Sequence, residues 1–452
     1  MAQSIDGFAG EVITPGDETY EDARRVWNSV FDRRPALLVR PTSEADVAAA
    51  IRHARDRDLE IAIRSGAHSA CGHSTTDGGL VIDLSKLRGV SVDSKGRTAR
   101  VLGGTLLGEL DIAAQEHGLV CPVGVVGHTG VAGLTLGGGM GRLQRNFGLT
   151  IDNLLAVELV TADGVTVRAS ATEEPELFWG IRGAGANFGV VTAFEFRLHE
   201  FSGTLHRGTR IYPASQVQEV WAMVRDVAPS LPDAVALIMA VGRAEPAGDY
   251  PEAVAGKPIV IIGFNHSGDA ANVERDTAGL AAGPEPVVNT LQSQPYLEVQ
   301  TSGDLAMGWG HRSYIMGGWA NDFRPVAFDA AVEHVAAGPP GGSFALSVQR
   351  GAIARLPEDA TAFTGRESAF DFSADTEWED PADDDANRDW VRGAMAIVAP
   401  DAGTGRYVNE ISEDGPEETR ITYGDAKLPR LTAIKRAWDP ENVFHLNPNI
   451  TP

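Results

Sequence analysis

Cysteine is almost missing from this chain of 452 residues: Cys71 and Cys121 are the two present, too few for a disulfide framework. A reducing compartment fits such usage best, and the expectation is a cytoplasmic protein. Basic charge is also short. With 38 Lys and Arg against 62 Asp and Glu, the formal net charge is −24, and a field of that sign repels phosphate backbones and anionic lipid. Nucleic acid and membrane are therefore not expected partners. The acidity itself reads as a solvated surface. No run of about 18 apolar residues occurs, the segment Met1 to Gly10 shows no basic region followed by an apolar one, and there is neither an internal repeat nor a low-complexity tract. What remains is a chain 43% hydrophobic, able to bury a sizeable core as one large or two ordinary domains.

Apolar spacing predicts a short helix over Tyr20 to Phe31, a strand at Ala36 to Arg40, and a helix capped by Ser43 in which Val47, Ile51 and Ala54 share a face. A strand at Glu60 to Arg64 follows, and further strands are expected at Leu80 to Asp83, Thr98 to Leu102, Leu155 to Thr161, Thr166 to Ala169 and Val190 to Leu198. The middle of the chain differs in texture. Longer apolar strands (Pro258 to Phe264, Ser343 to Val348) and helices (Ser215 to Val227, Ala327 to Ala336) read as a second α+β domain. A hinge is expected near Glu200 to Gly208, the acidic stretch Asp375 to Asp389 as a surface loop or helix start, and the tail Leu428 to Trp438 as a helix.

Two segments carry the chemistry. The predicted strand ending at Arg64 runs directly into Ser65-Gly-Ala-His-Ser-Ala-Cys-Gly-His-Ser74, so this cluster sits on a loop at a strand end, a usual place for a cofactor. Small residues there expose amide N–H groups, and successive amides form an anion nest. An ordinary tight turn uses the same residues. The second segment, Gly124 to Gly141, holds eight glycines in eighteen positions. Side chains at that density would block a pyrophosphate and a flat ring, which bare backbone can approach. The strand, turn and helix spacing of a Rossmann fingerprint is absent.

These two loops, the segment Glu176-Leu-Phe-Trp-Gly-Ile-Arg-Gly-Ala-Gly-Ala-Asn-Phe-Gly-Val-Val-Thr192, and the tail from Arg430 through Asp439-Pro-Glu-Asn-Val-Phe-His-Leu-Asn-Pro-Asn-Ile450 resemble the berberine bridge enzyme-like oxidases of the vanillyl-alcohol oxidase type. Their pattern is closest to bacterial members of the 6-hydroxy-D-nicotine oxidase kind. The resemblance implies an α+β fold: a PCMH-type FAD-binding domain in two parts, residues 1–204 and 406–452, with a substrate domain, 205–405, inserted between them whose antiparallel sheet covers the flavin. It implies FAD bonded covalently through its 8α carbon to His68. Cofactor contacts are expected from Arg64, Ser65, Gly66, Ala67, Ser69, Gly72 and His73, from Gly127, Thr129, Gly130, Gly133, Gly138, Gly139, Gly141 and Asp152, and from Gly189, Val190, Asn409 and Asn447. His73 also reads as an ordinary hydrogen-bonded loop histidine. Some members add a cysteine link to flavin C6, four residues before the glycine matching Gly130. That position is Val126 here, and Cys121 lies nine before it, so a single tether is expected.

The expected reaction is oxidation of a C–OH or C–NH bond of a small molecule by hydride transfer to flavin N5, with O2 as acceptor giving H2O2. Use of the flavin for cyclisation or dehydration, and a flavin-binding protein without turnover, are the alternatives. The proton acceptor is sought at Tyr407, or at a carboxylate with its pKa shifted by burial; Glu410 stands where the family pattern usually has a second tyrosine. Gln349 and Ser347 are expected to face the ring from one strand, and Trp309 and Tyr314 to line the substrate pocket. Packing is the competing role for each. No metal is expected, and monomer and homodimer both remain open.

Overall fold

A computed structural model describes residues 4–246, 248 and 250–452; Met1, Ala2 and Gln3, part of the segment read for a targeting leader, lie outside the described residues. The chain is α+β. A four-stranded sheet orders Glu11–Ile13, Leu37–Arg40, Leu80–Asp83 and Ile61–Arg64, with its last three strands parallel. Helix Glu44–Arg55 makes the crossover. Ser43 caps it by accepting the N–H of Asp46, and Val47, Ile51 and Ala54 are buried beneath it, as their spacing requires.

A five-stranded antiparallel sheet follows, in the order Val90–Asp93, Thr98–Leu102, Val190–Arg197, Leu154–Val160 and Thr166–Ser170. The tail returns to this first half. Helix Pro416–Trp438 places Tyr423, Leu431 and Ile434 in the same core as Phe178, Phe188 and Phe194. Buried Lys435 fixes the junction, donating to Asp439 at 2.7 Å and to the carbonyls of Asn187 and Phe444. A fully buried ammonium persists only with such a complete set of partners.

Between these parts lies a seven-stranded antiparallel sheet: Val288–Pro295, Thr204–Pro213, Pro258–His266, Val235–Arg243, Ser343–Val348, Phe370–Trp378 and Arg312–Ala320. Helices Val217–Val227, Pro325–Ala337 and Asp384–Val398 cover one face through a core that includes Trp221, Phe328, Phe344 and Phe372. Side chains alternate along a strand. With Phe370, Phe372 and Ala374 in that core, Asp371, Ser373, Asp375 and Glu377 stand on the opposite face.

Three expectations are corrected. The first helix stops at Ala23, because the following backbone is engaged elsewhere: Trp27 N–H donates to the Ala67 carbonyl and Ser29 N–H to that of His311. The expected hinge is strand from Thr204 onward, with Gly208 paired to Phe264 and Leu291. The acidic stretch is not all loop, since Asp375 to Trp378 close a central strand and the helix begins at Asp384. No described helix is long and apolar enough to cross a membrane.

Candidate active site

Strand Ile61–Arg64 delivers the His68 turn, and the glycine-rich segment lies against it. A Cβ on Gly66 would sit 2.1 Å from the backbone nitrogen of Gly130, and one on Gly130 would sit 2.2 Å from that of Gly66. Glycine at both positions is what lets the two loops touch. They border a cavity of about 530 Å³ whose other walls come from the tail and the seven-stranded sheet. Ser65, Gly66, Ala67, His68, Ser69 and His73 line it, as do Thr129, Gly130, Gly133, Gly189, Tyr407, Asn409 and Asn447.

Ala67 is held at φ 57°, and the N–H groups of Gly66, Ala67, His68 and Ser69 donate to no described residue. Four consecutive free amides form an anion nest. At Gly133 nothing described lies within 4 Å of where a Cβ would be, so a side chain there would project into the cavity. Asn447 Oδ1 and Ser74 Oγ, which also line the cavity, are buried without described partners.

His68 is fixed on several sides. Its ring stacks on Trp27 (centroids 5.0 Å apart, planes 18° apart) and shares a 2.7 Å hydrogen bond from Nε2 to His128 Nδ1. His128 is anchored in turn at 3.2 Å to the Asp304 carbonyl, while the Asp304 carboxylate accepts Gly127 N–H at 2.7 Å. Burial, reinforced by the second imidazole, pushes His68 down to about 3. It is a neutral base at physiological pH, and its Nδ1 has no described hydrogen-bond partner.

The opposite wall is acidic. Asp375, Glu377 and Glu410 line it. Glu410 reaches this wall because Met316 and Ile411 form a β-bridge that lays the segment along strand Arg312–Ala320. Asp375 accepts the Ser343 hydroxyl at 2.7 Å and is pushed up to about 6, first by burial and then by Glu377. Glu410 and Asp371 are raised too, by burial and by neighbouring carboxyls. Glu410 Oε2 and Asp371 Oδ1 have no partner.

Tyr407 lies between the two walls with its hydroxyl oxygen occupied. It accepts N–H from Gly139 (3.2 Å), Met140 (3.1 Å) and Asn409 Nδ2 (3.0 Å), and burial raises its pKa. The phenol braces the glycine turn. His73 bonds Asp414 at 2.9 Å.

Several expected contacts belong to the scaffold behind the cavity. Arg64 pairs with Asp83 at 3.3 Å, and a Cβ on Gly72 would strike the Phe31 ring. Gly138, Gly139 and Gly141 make tight turns against Phe363, Thr150 and the Val123 carbonyl. Asp152 forms a buried two-point pair with Arg366, at 2.6 and 3.1 Å, and Val190 sits in a core cluster. On the sheet side, Gln349 gives its carbonyl to Arg145 and its amide stays buried off the cavity. Tyr314 faces the helices and donates to Glu413 at 2.6 Å. Ser347 pairs with Asp371 on the cavity-side face, and half-exposed Trp309 stands edge-on to His68 at 6.3 Å. Sequence reasoning missed Trp27, His128, Asp375 and Glu377. A signal existed for His128, inside the glycine-rich segment; Trp27 gives none before folding brings it to His68.

Comparison with known proteins agrees with this geometry. A family model described as "FAD binding domain" matches residues 35–170, and one described as "Berberine and berberine like" matches 406–451. The chain is 32% identical to (R)-6-hydroxynicotine oxidase of Paenarthrobacter nicotinovorans, over 98% of this chain and 97% of that protein. The crystal structure of 6-hydroxy-D-nicotine oxidase from Arthrobacter nicotinovorans superposes with TM-score 0.88 at 30% identity, covering 100% of both chains. BBE-like 1 of Physcomitrella patens gives TM-score 0.88 at 25% identity, covering 98% and 97%. A nest of free amides, bare glycine at Gly133 and a neutral imidazole fit FAD. The chain belongs to the berberine bridge enzyme-like family of FAD-linked oxidoreductases and is an FAD-dependent oxidase.

Proposed function

We propose that this oxidase takes a hydride from the carbon of a C–OH or C–N bond of a small molecule, with dioxygen as the final acceptor and hydrogen peroxide as the second product. The acidic wall facing the His68 loop across one cavity carries the reading: it supplies a proton acceptor where the flavin ring supplies the hydride acceptor. Glu410 takes the proton from the group being oxidised. It lines the cavity, has a carboxylate oxygen free, and is raised toward the range where a base both accepts and returns a proton. Tyr407, first expected in this role, already receives three hydrogen bonds and positions the turn instead.

His68 would hold the flavin through Nδ1, since Nε2 is engaged by His128. His128 accepts the Nε2 proton and so keeps the lone pair on Nδ1. One tether suffices: Cys121 is fully buried, its thiol pushed up by burial, whereas Val126 occupies the lining position. Residues 1–204 and 406–452 form the FAD-binding part and 205–405 the substrate part, in keeping with a sheet drawn wholly from Thr204 to Trp378. The two free cysteines suit a reducing, cytoplasmic setting.

The test is anaerobic mixing of holoenzyme with alcohols and amines while following flavin absorbance, then admission of oxygen. Bleaching by a substrate followed by stoichiometric peroxide is expected. A flavin bleached by substrate but reoxidised only by added quinone would sink the oxygen assignment.

A further inference from the structure

We propose that Asp304 is a positioning residue for cofactor attachment: it aims His128 at His68, so that His128 takes the proton His68 must release when it bonds to FAD; this rests on the reading of His68 as the tether. Asp304 belongs to the segment that joins strands Val288–Pro295 and Arg312–Ala320 of the seven-stranded sheet, yet that segment grips the glycine-rich loop. From helix Tyr296–Thr301, Gln300 Nε2 donates to the Gly124 carbonyl at 2.8 Å and to Asp111 at 3.1 Å, and Gln300 Oε1 accepts from Arg142 at 2.9 Å. Further on, Asp304 Oδ1 accepts Gly127 N–H at 2.7 Å and the Asp304 carbonyl holds His128 Nε2 at 3.2 Å. The Met307 carbonyl then accepts Trp27 Nε1 at 2.8 Å.

Apolar burial adds little here, since Leu305 is 95% exposed and Trp309 46%. The polar contacts fix the segment, and they converge on Trp27 and His128, the two rings that hold His68. The contact to His128 is a backbone carbonyl, which no substitution removes. What keeps that carbonyl in place is the carboxylate's bond to Gly127, the residue next to His128.

This arrangement sets the direction of a proton. The Asp304 carbonyl only accepts, so His128 carries its hydrogen on Nε2 and presents a bare Nδ1 to His68 Nε2, 2.7 Å away. As His68 Nδ1 bonds to the 8α carbon, that carbon releases one proton and the His68 Nε2 proton passes to His128 Nδ1. The two electrons displaced into the ring go on to dioxygen, which with two protons becomes hydrogen peroxide. Burial keeps the His68 ring neutral, so a proton left on Nε2 after bonding would strand a buried charge. His128 removes it.

Full-length apoprotein from riboflavin-starved cells is mixed with FAD in air. Binding is read by flavin fluorescence, and attachment by intact mass of acid-quenched samples over time. Asp304→Ala is expected to bind FAD as the wild type does but to attach it roughly tenfold to hundredfold more slowly, the effect of a misplaced group on a reaction step. Asp304→Asn, which still accepts Gly127 N–H, attaches at the wild-type rate. His128→Ala is slow as well, and the double variant Asp304→Ala with His128→Ala is no slower than His128→Ala alone, because both residues act on one path. Wild-type attachment by Asp304→Ala, slow attachment by Asp304→Asn, additive slowing in the double variant, or FAD affinity that falls in step with attachment overturns the proposal. Attachment by His128→Ala at the wild-type rate overturns it even if Asp304→Ala fails to fold. FAD that never becomes covalent in the wild type sinks the tether reading, and the proposal with it.

Discussion

The wall of the cavity made by residues 65–69 and 129–133 is nearly all backbone, whereas the wall made by strand Phe370–Trp378 and the turn after Tyr407 is made of carboxyl side chains. The first suits an anion and a flat ring: amides without partners and glycines without side chains. The second is a row of carboxyls with no Lys or Arg among the cavity's lining residues. A protein acidic on its surface spends that charge on solubility, but acids that are buried and unpaired have another meaning. Here they line the same cavity as the amides, and under the proposed function cofactor and substrate would meet between the two walls.

That contrast breaks first at Glu410. Glu410→Gln keeps the shape and removes the base, and kcat/KM is expected to fall about 10²- to 10⁴-fold, measured by oxygen uptake. The pH profile changes with it. A raised carboxyl accepts a proton only above its pKa, so wild-type kcat/KM falls as pH drops through the ionisation of Glu410, pushed up to about 7 by burial and by Asp375; Asp375 is pushed up to about 6, Asp371 and Glu377 are raised as well, and His311 opposes the rise at Glu377. In Glu410→Gln that acid limb flattens. An unchanged limb assigns the base elsewhere.

The backbone wall is tested by Gly133→Val. Its Cβ meets no protein atom, so the apoprotein melts as the wild type does while FAD incorporation drops. Overpacking of about 1–3 kcal/mol corresponds to roughly fivefold to 150-fold in FAD affinity. Gly66→Ala differs in kind, because its Cβ meets the Gly130 backbone and both melting temperature and FAD content fall. If the two variants behave alike, the division between cradle and contact glycines is wrong.

The smallest effect belongs to Tyr407→Phe. Losing the hydroxyl strands the N–H groups of Gly139 and Met140 and is expected to cost about 1–3 kcal/mol, read by denaturant unfolding, with flavin reduction slowed far less than in Glu410→Gln. A loss of reduction rate equal to that variant's restores Tyr407 as the proton acceptor.

The backbone wall was legible in the sequence because glycine density and a His among small residues are local signals. The helix capped by Ser43 and most strands of the first half were readable for the same reason, though Glu11–Ile13 and Val90–Asp93 were not expected; the return of the tail came only from the family resemblance. The acidic wall was not. Asp375 and Glu377 alternate with Ala374, Thr376 and Trp378, a period-2 pattern, yet the run of acids that follows made the whole stretch read as surface. Which acids are buried is decided by the helices that cover the other face of the sheet. Trp27 escaped notice because its partner lies 41 residues on (68 − 27), and Asp152 misled because a buried ion pair with Arg366 leaves no mark in local sequence.

The covalent bond proposed between His68 and FAD is tested most directly by intact mass of the acid-precipitated protein. A gain of one FAD is predicted for the wild type and for Cys121→Ala, and no gain for His68→Ala. Retention of that gain in His68→Ala, or its loss in Cys121→Ala, would contradict the account.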